Sequence, residues 1–282
     1  MIAIIYRSST PKAKALALEL EKIIRLNNKP VIILEDYDQC IVPHSLPPDT
    51  QAILVLGGDG AMLGAVRLWD ECQLDTSTPI IGINLGSLGF LTALTHEELS
   101  KALPAILSDE FATQERMLLK ATLDEKQQQV ALNEVVISKT HLASLLVLEV
   151  EVDAKYLTHF RADGLIVSTP TGSTAYNLSA GGPICHPAMD CLILTPICSF
   201  NLINRPIILA GDMELKVRLV TEEAELICDG QVKADFHAGQ VAVIRQTSRK
   251  VAIGITHDYF EILRHKLKWG SSSSAPLDVG YV

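Results

Sequence analysis

The chain has 282 residues, 48% hydrophobic and 20% charged, with a formal net charge of −9. That length accommodates two domains and an ample core, and the composition excludes a disordered chain. The negative balance, with no block of lysines or arginines, argues against a broad nucleic-acid surface; an anionic substrate has to be attracted locally, by backbone amides, a few arginines or a metal.

The N-terminal run Ile2-Ala3-Ile4-Ile5 is too short for a signal sequence, and no stretch is long enough to span a bilayer. Six cysteines (Cys40, Cys72, Cys185, Cys191, Cys198, Cys228) form no C-x-x-C pair and lie in apolar settings, as free core thiols do. A zinc site from Cys185, His186 and Cys191 is disfavoured, because adjacent strand residues face opposite ways. The expected compartment is cytoplasmic, with no membrane partner.

In chain order, Ile2–Tyr6 reads as a strand and Thr10-Pro11 as a cap and first-turn proline opening a helix. Leu16, Leu20, Ile23 and Ile24 fall at helical spacing, and Lys29-Pro30 ends the element. Val31–Leu34 is a strand, residues 43–49 are a proline-rich connection, and Ala52–Leu56 is a buried strand. Gly57-Gly58-Asp59-Gly60 follows, then a helix with Met62, Val66 and Trp69 on one face. Ile80–Asn84 is a further strand running into Leu85-Gly86-Ser87-Leu88-Gly89-Phe90. Thr95 and Glu98 have capping-box spacing before a helix interrupted at Pro104. This alternation predicts a parallel sheet covered by helices on both faces, with ligands beyond the carboxyl ends of the strands, where both glycine turns sit.

The first turn is an anion site in kind: glycines admit a phosphate close to the backbone, and helix N–H groups point at it. Asp59 is the exception, since a carboxylate about 4 Å from a phosphate is repelled by about 4 kcal/mol at an effective dielectric near 20. It holds a bridging metal, removes a proton from an attacking hydroxyl, or caps the helix.

From about Glu110 the texture is β. Strands are expected over Met117–Leu123, Val130–Lys139, Leu145–Asp153 and Tyr156–Arg161, with turns at residues 124–129 and 153–155. Leu215–Val220, Glu225–Cys228, Val232–Phe236, Gln240–Arg245 and Val251–Ile255 continue a series typical of a sandwich-like all-β domain. Residues 257–268 return to helix, and residues 270–276 read as a flexible tail start.

Two stretches in the β half are unlike ordinary strand. Asn133-Glu134 interrupts an apolar run; these polar groups either bind a sugar hydroxyl and a base edge or sit at a bulge or sheet edge. Arg161 to Pro183 joins a strand to a hydroxyl-rich glycine turn and a helix start at Ser173, offering N–H groups, hydroxyls and the Tyr176 ring. For a plain loop it is unusually long and low in charge.

Gly57-Gly58-Asp59-Gly60, Gly82 to Phe90, Asn133-Glu134 and Asp163 to Pro183 together resemble the NAD kinase family, bacterial type, over the span from the first strand to about Lys268. The Gly-Gly-Asp-Gly turn alone is shared with diacylglycerol kinases and 6-phosphofructokinases; the long Asp163–Pro183 stretch is far more specific. The resemblance implies an α/β domain with a parallel sheet (residues 1–108 plus 257–282) and an all-β, sandwich-like NAD-binding domain (109–256), with the C-terminal helix returning to the first. It implies transfer of the γ-phosphoryl of ATP to the 2′-hydroxyl of the adenosine ribose of NAD, with a divalent metal, Mg2+, accompanying ATP.

By the same resemblance Asp59 is the general base, with Gly60 beside it, Glu134 holds the ribose and Asn133 the adenine. Thr171, Thr174, Ala175 and Tyr176 complete the adenine pocket, Phe90 closes it, and Asn177, Leu178 and Ser179 continue the wall. Arg161, Asp163 and Gln231 approach the nicotinamide half. Part of each site comes from a neighbouring subunit, so a homo-oligomer, a tetramer or dimer, is implied. Position 61 is Ala where a hydroxyl or amide residue often follows the family's glycine, and the 271–282 segment has no counterpart. Two rivals remain at this stage: a related kinase for a lipid or sugar hydroxyl, which does not need Asn133-Glu134, and a dinucleotide sensor, which does not need Asp59.

Overall fold

The computed structural model describes residues 1–269 other than 38–39, 43–44, 87–88, 125–126, 142–144, 202 and 222, and for residues 37, 40–42 and 127 the backbone alone. Ser87 and Leu88 of the second glycine turn, part of the 43–49 connection, part of the 124–129 turn and the tail from residue 270 therefore lie outside the described residues.

The first third alternates as expected: β1 (Ile2–Arg7), α1 (Pro11–Leu26), β2 (Val31–Tyr37), β3 (Cys40–Val42), β4 (Ala52–Leu56), α2 (Asp59–Glu71), β5 (Ile80–Asn84), β6 (Leu94–Thr95) and α3 (His96–Leu107). The two short strands β3 and β6 were not expected. Strands β5, β4, β1 and β2 lie side by side and parallel. Their apolar runs are buried on both faces, as parallel sheets require. Ile2, Ile4, Leu54 and Ile81 face α1 and α3, while Ala3, Ile5, Ile53 and Val55 face Met62, Val66 and Trp69 of α2. The Thr95–Glu98 capping box is formed, but α3 continues through Pro104 to Leu107. The expected interruption does not occur.

The β region comprises β7 (Thr113–Leu123), β8 (Gln127–Ala131), β9 (Glu134–Lys139), β10 (Leu146–Val152), β11 (Lys155–Ala162), β12 (Gly164–Ser168), β13 (Cys191–Ile197), β14 (Ile207–Ala210), β15 (Leu215–Leu219), β16 (Glu223–Cys228), β17 (Val232–His237) and β18 (Val241–Gly254). Between β12 and β13 come a 3-10 turn, Thr171–Thr174, and the one-turn α4 (Tyr176–Ser179); α5 (Tyr259–Leu267) closes the described chain. Strands β13 and β14 were not foreseen. The antiparallel sheet β14-β13-β12-β9-β16-β17 packs its apolar face on that of β7, β10 and β15, burying Leu119, Leu148, Phe160, Leu165, Leu194 and Phe236.

Two expected strands proved to be one. The runs expected at 240–245 and 251–255 fall, but for Gln240 and Ile255, in the single strand β18, irregular between Gln246 and Lys250. Its first half pairs β15; its last residues pair β5 in parallel, Ile253 opposite Ile80. One leaf of the sandwich is thus continuous with the parallel sheet. The irregularity turns Arg249 onto α2, where its guanidinium lies 4.2 Å from the Trp69 ring centroid and 2.8 Å from Asp70. The C-terminal helix does return: just before it His257 stands 3.4 Å from Glu98 of α3, and Tyr259 and Ile262 of α5 line a cavity with Phe90 and Leu91, while the Tyr259 hydroxyl donates to Cys185 O at 3.1 Å.

Candidate active site

Asp59 is the first residue of α2, placed where β4 ends, and Gly58 is the N-cap. Its carboxylate reaches across to the second glycine turn: Phe90 N donates to Oδ2 at 2.9 Å and Leu91 N to Oδ1 at 3.1 Å. The capping reading therefore fails, because the side chain serves another loop. Any Cβ on Gly89 would stand 2.0 Å from Asp59 Oδ1, so this approach requires glycine at 89. The second loop is ordered from within, Gly86 N donating to Asn84 Oδ1 and Gly89 N to Thr92 Oγ1, both at 2.8 Å. Glycine is required at 57 too, since a Cβ there would come within 2.7 Å of Ala61 Cβ.

The expected strand 130–139 is broken into β8 and β9 at Leu132-Asn133, and Asp229 is the cause. Half-buried after β16, its carboxylate accepts from Leu132 N (2.8 Å), Asn133 N (2.8 Å) and Glu134 N (3.1 Å). These N–H groups cannot also serve a strand partner, so the ladder stops. Burial first, and then the Asp229 charge, raise the Glu134 carboxyl from 4.5 to about 8 against a Tyr176 N–H bond. Burial raises Asp229 to about 6, opposed by its three N–H donors and by Arg67. Those donors favour charge on Asp229, so at neutral pH the proton of the pair resides on Glu134. Glu134 Oε2 is buried without a partner, an open position for a ligand hydroxyl.

Residues 168–174 fold onto this ledge. Thr169 N and Ser168 Oγ donate to Asn133 O at 2.8 and 3.2 Å, and a Cβ on Gly172 would come within 2.2 Å of that oxygen. Thr171 Oγ1 is a second buried atom without a partner. Thr174 Oγ1 lies 3.4 Å from Thr171 O, Ala175 and Leu178 are half-buried, and Tyr176 and Ser179 are exposed. Asn177 is different. Its amide donates to Ser173 O (3.2 Å) and Pro183 O (3.1 Å) and accepts from Thr195 Oγ1 (2.7 Å), so the side chain clamps its own loop.

Gln231 donates to Gly60 O at 2.9 Å and accepts from Arg67 Nη1 at 3.0 Å. It lies against the first turn of α2. The 229–231 turn thus ties the Asn133-Glu134 ledge to the Asp59 turn. Sequence reading used Asp229-Gly230 only as a turn marker and passed over Arg67. Arg161 and Asp163 stand elsewhere: Asp163 pairs with Lys139 at 2.5 Å, and the Arg161 guanidinium lies 5.2 Å from the Phe200 ring centroid. Lys139 and Glu134 are the two ends of β9, about 16 Å apart at strand rise. Cys185 and Cys191 are buried with Ile193, whereas Cys198 is exposed, unlike a core thiol. Among the described residues no group of three or more His, Cys, Asp or Glu is placed to hold a metal ion.

Residues 41–111 match the ATP-NAD kinase N-terminal domain family and residues 132–254 the ATP-NAD kinase C-terminal domain family. The chain is 46% identical to the NAD kinase of Geotalea daltonii over 233 residues, covering 80% of this chain and 81% of that one. This chain belongs to the NAD kinase family. The family's NAD kinase from Syntrophobacter fumaroxidans is 39% identical over 284 residues, 96% of this chain and 99% of the relative. Among solved structures, a NAD kinase from Archaeoglobus fulgidus in complex with ATP superposes with a TM-score of 0.78 at 25% identity, covering 95% and 99% of the two chains. Yeast NADH kinase complexed with NADH gives 0.80 at 23% identity, covering 98% and 90%, a likeness of fold.

Proposed function

We propose that the protein transfers the γ-phosphoryl group of ATP to the 2′-hydroxyl of the adenosine ribose of NAD, giving NADP. Membership of the NAD kinase family supports the reaction. The carrying observation is the 229–231 turn, which joins the buried, partnerless Glu134 Oε2 to the Gly60 carbonyl beside Asp59. A hydroxyl-binding carboxyl and a candidate base are thereby held in one cleft. A lipid or sugar kinase has no use for the first, and a sensor none for the second.

In this reading Asp59 accepts the 2′-hydroxyl proton, the ribose oxygen bonds to the γ-phosphorus, and the β–γ bridging oxygen leaves with ADP. Each Asp59 oxygen accepts one backbone N–H and keeps a lone pair, so both loops orient the base without exhausting it. Glu134 engages the ribose and Asn133 the adenine, with Thr171, Thr174, Ala175, Tyr176 and Phe90 around the base; Leu178 and Ser179 continue the wall, and Asn177 stiffens it. Gln231 positions Gly60 and borders the nicotinamide half. Magnesium would arrive with the donor, as Mg–ATP, and charge neutralisation by the protein would rest on the N–H groups opening α2.

Arg161 and Asp163, at the far end of β9, serve the nicotinamide half of a neighbouring subunit's site in a homo-oligomer. Division into 1–108 plus 257–282 and 109–256, and a cytoplasmic location, are parts of the same proposal. NADP formation from NAD, ATP and magnesium by the purified protein tests the reaction, with Asp59→Asn as control. No NADP under these conditions would overturn it.

A further inference from the structure

Arg116, on β7, is 6% exposed, and its Nε and Nη1 are buried without a hydrogen-bond partner. A buried guanidinium normally meets a carboxylate or several carbonyls, because unpaired burial of its charge is costly. Here it lines a cavity of about 210 Å3 with Phe90, Leu91, Gln114, His186, His257 and Tyr259. Asp258 is the one carboxylate of this lining, and its Oδ1 is occupied by Phe260 N (2.9 Å) and Glu261 N (3.2 Å) as the cap of α5. Glu98 faces His257, and the Tyr259 hydroxyl donates to Cys185 O. The N-terminal end of the nine-residue α5, where the helix dipole is positive, opens on the same space. The burial that lowers Arg116 to about 10 leaves it charged at neutral pH.

We propose that this cavity binds a small phosphate-type oxyanion, with Arg116 as its principal ligand and His186 and His257 beside it. The volume is below the 300–1,000 Å3 of ordinary ligand pockets, enough for one phosphate group and too small for a nucleotide. The occupant is free phosphate or the end of a phosphate chain; the chemistry is shared. It is a site apart from the Asp59 cleft, although Phe90 and Leu91 border both, lining the cavity while their N–H groups donate to Asp59.

The test is calorimetric titration of the full chain with inorganic phosphate, and separately with tripolyphosphate, at constant ionic strength. Saturable binding weakened at least tenfold in Arg116→Met and partly retained in Arg116→Lys is expected. If only tripolyphosphate shows that Arg116 dependence, the occupant is a chain end. Should Arg116→Met fail to fold, Arg116→Lys carries the titration, and crystals soaked in selenate should show an anomalous peak within hydrogen-bond distance of the guanidinium. No phosphate or tripolyphosphate binding that responds to Arg116, or no such peak, overturns the proposal. The readout does not pass through catalysis, so its failure leaves the assigned reaction standing.

Discussion

At Asp59 the three readings of the sequence make different predictions, and the geometry has removed one. Asp59→Asn keeps the shape but cannot accept the ribose proton, so kcat should fall about 10²–10⁴-fold while the NAD dissociation constant changes little. Turnover near wild type would exclude the base, and rescue by excess magnesium would point to metal binding. Glu134 carries a pH prediction. A carboxyl raised from 4.5 to about 8 on folding lends stability that is fully present below about 4.5 and lost as pH rises through about 8. Melting temperature should therefore fall more steeply between pH 5 and 9 in wild type than in Glu134→Gln; parallel curves would refute the raised value. Tyr176→Ala, removing an exposed ring beside this carboxyl, should weaken NAD binding by roughly 1–3 kcal/mol if the ring stacks on the adenine. Asp59 and Glu134 were legible because a carboxylate in a glycine turn and a polar pair in an apolar run each break a local rule. Asp229 broke none: Asp-Gly after a strand is an ordinary turn, and its partners lie 95 to 97 residues away.

The elements show where local pattern ends. The parallel strands and α2 were readable from apolar runs and helical spacing alone. The break between β8 and β9 was not, since the apolar run on both sides of Asn133-Glu134 reads as one strand and only a distant carboxylate takes the N–H groups at 132–134. The joining of 240–245 and 251–255 into β18 was hidden by Gln246 to Lys250, polar residues that separate the two apolar runs and carry Arg249 onto Trp69. Pro104 misled for a complementary reason: a proline forfeits one helical bond, and α3 tolerates it while burying Leu99, Leu103 and Ile106. The crossing between the two glycine turns is itself testable. Gly89→Ala would push the Asp59 carboxylate off Phe90 N and Leu91 N, so kcat should drop at least tenfold with thermal stability nearly unchanged. Normal turnover in a folded Gly89→Ala protein would show that Asp59 works from another position.

Across the whole molecule, the shared strand β18 fixes the cleft, because the leaf that carries Arg249 to α2 is also a wall of the sandwich bearing Glu134. The same chain leaves Arg161 and Asp163 about 16 Å of strand away from that cleft, with Phe200, 67% exposed, against Arg161. A large apolar side chain left in water next to charged groups is typical of a surface that meets another protein. A second copy of the chain would cover it and bring Asp163 to a neighbour's site. Site sharing has a consequence that no single-chain arrangement reproduces. Asp59→Asn subunits retain Asp163, and Asp163→Ala subunits retain Asp59, so a mixed oligomer contains sites in which both groups are intact. For random exchange at equal concentrations about a quarter of the sites recover both, since each group is present in half of the subunits. Activity should rise toward that fraction of wild type as exchange, followed by native mass spectrometry of differently tagged subunits, goes to completion. Mixed oligomers as inactive as their parents would place Asp59 and Asp163 in the same subunit's site.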